Sequence, residues 1–172
     1  MKDSVTLNKE IREMAISHGL CEGWQKEWEY DWDQDRMISQ FFRGIDFFIY
    51  KRFIPVEYIK VNFDKYFLRH KGIIIDDTYS LLNPTNAILV GNSKSTIRIN
   101  GMKASTIYVT DSSKATITVR DKSFAMVHLY GQSSIDAKAY DSASITIIKH
   151  SELANTKVSG RCKVLNEIEI QK

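Results

Sequence analysis

Between Gly91 and His150 the chain repeats one pattern of polar and apolar positions six times, once every ten residues. Each block opens on Gly or Asp, continues with small polar residues and ends in a β-branched run, as in DSSKATITVR. The odd positions of a block are apolar or small, which predicts a strand with one face turned inward. Self-similarity at a fixed spacing indicates a repeat architecture, in which each unit stacks on its neighbours.

Two arrangements of these strands compete. In an antiparallel meander, for which Asn100-Gly101 is a hairpin signal, the bulky end of one strand would lie beside the small end of the next. In a parallel solenoid, similar residues stack on one another in successive coils. Side chains change from small to large along every block, which favours this arrangement. The simplest coil contains two blocks, about 20 residues, and gives two sheets around a thin core of Ile, Val and Ala.

Helical spacing replaces the alternation in the first seventy residues. Apolar residues recur three or four positions apart over residues 7–18, 37–50 and 55–71, and tryptophans recur at this spacing between the first two segments. This pattern predicts three or four helices before the repeat. The predicted fold is therefore α+β, with a helical head in residues 1–72 and a short parallel β-solenoid in residues 73–172.

The ends of the solenoid need cover, because an open terminal coil offers unpaired backbone groups to other strands. We expect the helical head to cap the first coil, which the strands predicted at residues 73–75 and 86–90 begin. Alternation over residues 164–170 predicts a last strand that closes the other end. A weak closure there would permit end-to-end self-association.

The tryptophans of the head lie in a segment with six acidic residues, CEGWQKEWEYDWDQDR. On one helix they would form a stripe, and such stripes are typical of packed cores. An exposed stripe ringed by charge would instead resemble an interface hot spot, and the carboxylates could imitate phosphates toward a basic partner. The candidate partner-binding residues are Trp24, Trp28, Trp32, Glu27, Asp31 and Asp35.

Two outer surfaces follow if alternate blocks share a sheet. One sheet then presents an aromatic and imidazole strip in two columns, Tyr108-His128-Ile148 and Thr110-Tyr130-His150. The other presents a mildly basic surface, formed by Arg98, Thr118, Lys138, Asn100, Arg120 and Tyr140. Rings of the first surface could bind a sugar or a partner protein, so its candidate ligand-binding residues are Tyr108, His128, Tyr130 and His150.

Charge and composition limit the remaining classes of function. The 24 basic and 21 acidic residues are interspersed and leave a net charge of only +3, so neither nucleic acid nor a membrane is expected as a partner. The absence of a long apolar run predicts a cytoplasmic protein. No P-loop, dinucleotide or nucleophile-elbow motif occurs, and two histidines are too few for a zinc site, so we expect neither a cofactor nor an enzymatic activity.

Several segments resemble a group of uncharacterised gut-bacterial proteins that includes prophage-borne members: GWQKEWEYDWDQD, FFRGIDFFI, LLNPTNAILVGNSKSTIRING, DSSKATITV and YDSASITIIKHS. The resemblance spans most of the chain and implies no activity, cofactor or catalytic residue. The repeat also distantly resembles bactofilin-type polymer-forming β-helices, whose coils do not consist of ten-residue blocks and which lack the aromatic helical head. These observations favour a non-enzymatic interaction or structural protein that binds a protein partner or itself. The alternative is a carbohydrate-binding or carbohydrate-acting β-helix.

Overall fold

The computed structural model of this chain describes residues 2–167. Its contacts divide the chain into two units, Met1–Phe67 and Leu68–Lys172. The first unit is helical and the second is a parallel β-solenoid of about four turns, which confirms the predicted fold class. No helix among residues 2–167 combines the length and the apolar character that crossing a membrane requires.

Short helices make up the N-terminal unit, and their number corrects the prediction of three or four. The described residues contain α1 (Ser4–Ser17), α2 (Glu22–Glu27), α3 (Gln34–Arg43), α4 (Ile45–Lys51), α5 (Val56–Asn62) and α6 (Lys65–His70). The long helical patterns at residues 37–50 and 55–71 are thus each divided in two. Apolar spacing continues through both breaks, and the sequence indicates only the first of them, through Gly44, which interrupts the pattern of residues 37–50.

Local chemistry explains where several helices begin and end. Asp3 and Asp33 cap α1 and α3, since each carboxylate accepts a hydrogen bond from a backbone N–H in the first turn. Gly19 follows α1 with a φ of +91°, which a side chain would disfavour. Gly44 lies between α3 and α4, and the position requires glycine because a Cβ atom there would lie 2.9 Å from the ring of Trp24.

The three tryptophans do not share one helix, which corrects the predicted helical stripe. Trp24 lies in α2, but α2 ends at Glu27 and Trp28 already has an extended backbone. Trp32 lies in the loop before α3. Trp28 and Trp32 still stack on each other, with ring centres 4.8 Å apart, because the chain turns between them.

The solenoid consists of two parallel sheets, so the antiparallel meander is excluded. Sheet A has the order β1-β3-β5-β7-β9-β11, and sheet B has the order β10-β8-β6-β4-β2. The strands are β1 (Ile73–Ile75), β2 (Thr78–Leu82), β3 (Asn86–Val90), β4 (Lys94–Ile99), β5 (Ala104–Val109), β6 (Lys114–Val119), β7 (Phe124–Leu129), β8 (Ser134–Ala139), β9 (Ser144–Lys149), β10 (Asn155–Ser159) and β11 (Cys162–Asn166).

Each residue in the middle of the solenoid lies beside its counterpart one coil of about 20 residues away. Lys94 pairs in register with Lys114, and Tyr108 pairs with His128. Burial alternates along these strands, and the inward side chains of both sheets form a single core cluster. The predicted coil length and inward-facing positions are therefore confirmed.

The first residue of each block turns the corner between the two sheets. All six of these residues have a left-handed backbone, which Gly adopts freely and Asp tolerates better than most residues. They are Gly91, Gly101, Asp111, Asp121, Gly131 and Asp141. The Asp carboxylates also accept backbone N–H groups one coil away, as from Gly91 to Asp111 at 2.8 Å, so their predicted role in turns is confirmed.

The ends of the solenoid depart from the sequence prediction. Strands β2 and β10 were not predicted, because the coils that contain them differ in length from the regular ones. The predicted closing strand corresponds to β11 as far as Asn166, and its residues 168–170 lie outside the described residues. Lys149, which was expected inside the core, is half-buried at the end of β9.

Candidate functional site

Two of the tryptophans are held inside the helical unit. Trp28 donates its indole N–H to Asn8 Oδ1 at 2.7 Å, and Asn8 donates in turn to the carbonyl of Glu29 at 2.8 Å. Asn8 is only 1% exposed, and Trp32 is 4% exposed with its indole N–H donated to Glu29 Oε2. Buried indoles with satisfied N–H groups stabilise the fold, and they present no ring to a partner.

The exposed surface of this segment is acidic. Trp24 is half-buried under the guanidinium of Arg43, which lies 4.9 Å from the ring centre and also pairs with Glu27. Tyr30 is 64% exposed. We call residues 27–35 the acidic segment; its exposed side chains include Glu27, Glu29, Tyr30, Asp31 and Asp35.

The predicted aromatic strip forms a compact cluster on sheet A. Tyr108 stacks on His128 with ring centres 5.0 Å apart, and Tyr130 stacks on His150 at 4.4 Å. Each stack joins residues in neighbouring strands or directly after them, where the parallel register brings like positions together. The structure therefore brings all four of the predicted ligand-binding residues to one place.

A hydrogen bond connects the two stacks. His128 Nδ1 and His150 Nε2 are 3.0 Å apart, and the ring planes differ by only 9°. The ring centres are 5.3 Å apart, which exceeds the N–N distance by about two imidazole radii, so the rings lie edge to edge. One imidazole must donate and the other must accept. No group of three or more metal-ligating side chains occurs in the described part of the chain.

This cluster is less accessible than the sequence predicted. Thr110, Tyr130 and Ile148 were expected to point into solvent, but they are 0%, 8% and 9% exposed. Alternation within a single strand does not predict this burial. Each of the four rings also uses a face on its stacking partner. The cluster therefore gives no support to a sugar-stacking platform.

The outer side of sheet B carries unpaired cations. We call Lys94, Arg98, Lys114 and Lys138 the basic face, after the side chains that alternate outward on β4, β6 and β8. None of the four forms an ion pair with any described residue. Lys94 and Lys114 lie side by side in neighbouring strands, about 4.8 Å apart along the stack.

An open groove of about 390 Å³ crosses this face. Both lysines line it, together with the hydroxyl groups of Thr96 and Thr116. Asp136 also lines the groove, and its Oδ1 atom is buried without a hydrogen-bond partner. The groove thus offers ammonium and hydroxyl groups to an anion, whereas the buried Oδ1 atom of Asp136 is not accessible to a ligand.

The sequence prediction named Arg98 and Lys138 as basic but did not include Lys94 and Lys114. A signal for them was present, since both lysines open a strand and lie one coil apart. The comparison of alternate blocks used only the eighth and tenth positions of each block, whereas these lysines occupy the fourth.

Comparisons with protein families, with curated proteins and with solved structures find no significant match to this chain. The candidate sites therefore rest on the geometry of the chain itself.

Proposed function

We propose that the protein is a non-enzymatic interaction scaffold, in which the solenoid holds the basic face against an acidic surface of a protein partner. The observation that supports this proposal is the groove on sheet B, where Lys94 and Lys114 lie side by side and form no ion pair with residues 2–167. The regular parallel register fixes the spacing of these charges and makes the surface stiff.

Two like charges in register on neighbouring strands are unfavourable, by roughly 0.2–1 kcal/mol. A carboxylate bound between Lys94 and Lys114 would offset this repulsion and gain charge-assisted hydrogen bonds. The hydroxyl groups of Thr96 and Thr116 lie in the next column and can donate to the same anion. An acidic protein surface supplies several such carboxylates at once.

A protein fits this face better than a nucleic acid does. Single-stranded nucleic acids bind where aromatic rings are available for base stacking. On this sheet, Tyr79 lies under the guanidinium of Arg69 and Tyr140 under that of Arg120. The carboxylate of Asp136 also lines the groove, and a protein can place a neutral or basic side chain beside it, whereas the evenly charged phosphate backbone of a nucleic acid would be repelled.

Binding of fluorescent poly-L-glutamate, followed by anisotropy at low ionic strength, tests this proposal. We expect the double variant Lys94→Glu/Lys114→Glu to bind at least about tenfold more weakly than the wild type, because two attractions become repulsions. The matched control is Lys103→Glu/Lys122→Glu, which changes the charge equally at two exposed corner residues.

Equal binding by both double variants would show that the basic face is not the site. Single-stranded DNA serves as the competing probe. If it binds more tightly than poly-L-glutamate and depends on the same two lysines, the partner is a nucleic acid and the proposal is wrong.

A further inference from the structure

We propose that the acidic partner is a second copy of this chain, whose acidic segment docks on the basic face of its neighbour. This inference rests on the proposed function, because it names the occupant of the same groove. It joins two surfaces of one chain that have opposite charge and complementary hydrogen-bonding groups.

Charge is distributed unequally between the two units. Residues 1–67 contain 10 basic and 12 acidic residues, whereas residues 68–172 contain 14 basic and 9 acidic residues. The small net charge of the whole chain therefore conceals a net charge of −2 in the first unit and +5 in the second. Two copies can bring the surfaces of opposite sign together, which favours association in a defined orientation.

Tyr30 gives the acidic segment a group that matches the groove. Its side chain is 64% exposed, and exposed tyrosines are enriched in protein interfaces. Its phenol can donate a hydrogen bond to the hydroxyl oxygen of Thr96 or Thr116, which line the groove. Asp31 lies next to Tyr30 in the chain and would bring a carboxylate toward the lysines.

The two surfaces are different patches, so a single contact between two copies leaves one patch of each kind free. These patches either pair reciprocally, which closes a two-fold dimer, or bind further copies, which forms a ring or an open chain. The individual ion pairs are exposed and weak, and salt screens them. The expected assembly is therefore reversible and grows with protein concentration at low ionic strength.

Sedimentation velocity of the full chain tests the inference. We expect association at about 0.01 M ionic strength and a monomer at about 1 M, where the Debye length falls from roughly 30 Å to 3 Å. A wild type that remains monomeric at low ionic strength over a range of protein concentrations would overturn the inference.

Charge reversal identifies the two surfaces. Variant Lys94→Glu/Lys114→Glu loses the basic face, and variant Asp31→Lys/Asp35→Lys loses the acidic segment while leaving the helix cap Asp33 intact. We expect each variant to be monomeric alone and an equimolar mixture of the two to associate, because each supplies the surface that the other lacks. Association of either variant alone at the wild-type level would contradict the inference.

Two controls keep the result specific. The variants Lys103→Glu/Lys122→Glu and Glu13→Lys/Asp46→Lys carry matched charge changes at other exposed positions and should associate as the wild type does. Circular dichroism of every variant shows whether it has folded. Tyr30→Phe should weaken association severalfold without a change in charge; an unchanged association constant would show that the phenol of Tyr30 makes no hydrogen bond in the interface.

The failure of this inference can be distinguished from the failure of the proposed function. If the wild type is monomeric at low ionic strength but binds poly-L-glutamate through Lys94 and Lys114, the partner is another acidic protein and only this inference is wrong. If poly-L-glutamate does not bind and no association occurs, the proposed function is wrong as well.

Discussion

The solenoid and the helical unit are stabilised in different ways. In the solenoid one set of contacts recurs from coil to coil, with Ile97, Ile117 and Ala137 stacked in register. In the helical unit each contact occurs once, such as the hydrogen bond from Trp28 to Asn8. A substitution in the solenoid therefore tests a repeated interaction, whereas a substitution in the helical unit tests a single one.

The largest expected effect is that of Trp28→Ala. The change removes a buried indole and leaves Asn8 Oδ1 without its donor, so we expect a loss of about 3–5 kcal/mol in the stability of the helical unit. Urea unfolding followed by circular dichroism measures it. Trp24→Ala is the matched control, since Trp24 is half-buried and its loss should cost less. Equal losses of stability in Trp28→Ala and Trp24→Ala would contradict the conclusion that Trp28 is the more important of the two for the fold of the helical unit.

The next largest effect is expected at the core of the solenoid. Ile117 is fully buried, so Ile117→Ala should cost about 2–5 kcal/mol. Its neighbour on the same strand, Thr116, points outward, and Thr116→Ala should change stability by less than about 0.5 kcal/mol. Urea unfolding of the two variants measures the difference. Similar losses in both would show that the inward and outward positions are assigned incorrectly.

Substitution of two glycines at the corners of the solenoid should have a smaller effect on stability. The pair distinguishes the cost of backbone strain from the cost of a close contact. Gly91 and Gly101 both have a positive φ, but a Cβ atom at Gly91 would lie 2.1 Å from Asp76 Oδ1, whereas none of the surveyed atoms lies within 4 Å at Gly101. Gly101→Ala should therefore cost about 1–2 kcal/mol from backbone strain alone. Gly91→Ala should cost more, since Asp76 must also move. Thermal unfolding compares them, and a larger loss at Gly101 would contradict this account.

The smallest effect concerns a carboxylate in the helical unit. Glu10 accepts hydrogen bonds from Lys2 and from the phenol of Tyr58, and these contacts lower the pKa of Glu10. Their stabilising contribution is present above the unfolded-state pKa of about 4.3 and is lost as the pH falls through the lowered pKa. Tyr58→Phe should raise the pKa of Glu10 toward its usual value, as NMR titration would show. An unchanged pKa would mean that the phenol does not contribute.

The sequence predicts the repeated part of the solenoid more accurately than it predicts the helical unit or the ends of the solenoid. The strands from β3 to β9 were predictable because a constant period fixes both the alternation and the register. The helix break at Phe63 was not, because apolar spacing continues through it, whereas the break at Gly44 is marked in the sequence by the glycine itself. At the ends of the solenoid, β2 and β10 lie in coils of different length, where the period no longer applies.

The candidate sites were predictable only in part. The register that unites Tyr108 with His128 follows from the period, but the burial of Tyr130 does not. The basic face was recognised through Arg98 and Lys138. The groove itself is lined by short outward side chains such as Thr96, Thr116 and Ser134, whose arrangement becomes visible only when β4, β6 and β8 are placed side by side.

The most direct test of the central claim is an NMR titration of the 19.8 kDa protein with poly-L-glutamate, followed through the backbone amide resonances. We predict salt-sensitive shifts that concentrate at Lys94, Thr96, Lys114 and Thr116 on sheet B. Shifts concentrated at the ring cluster of Tyr108 and His128 on sheet A, or the absence of any shift, would contradict the assignment of the basic face as the binding surface.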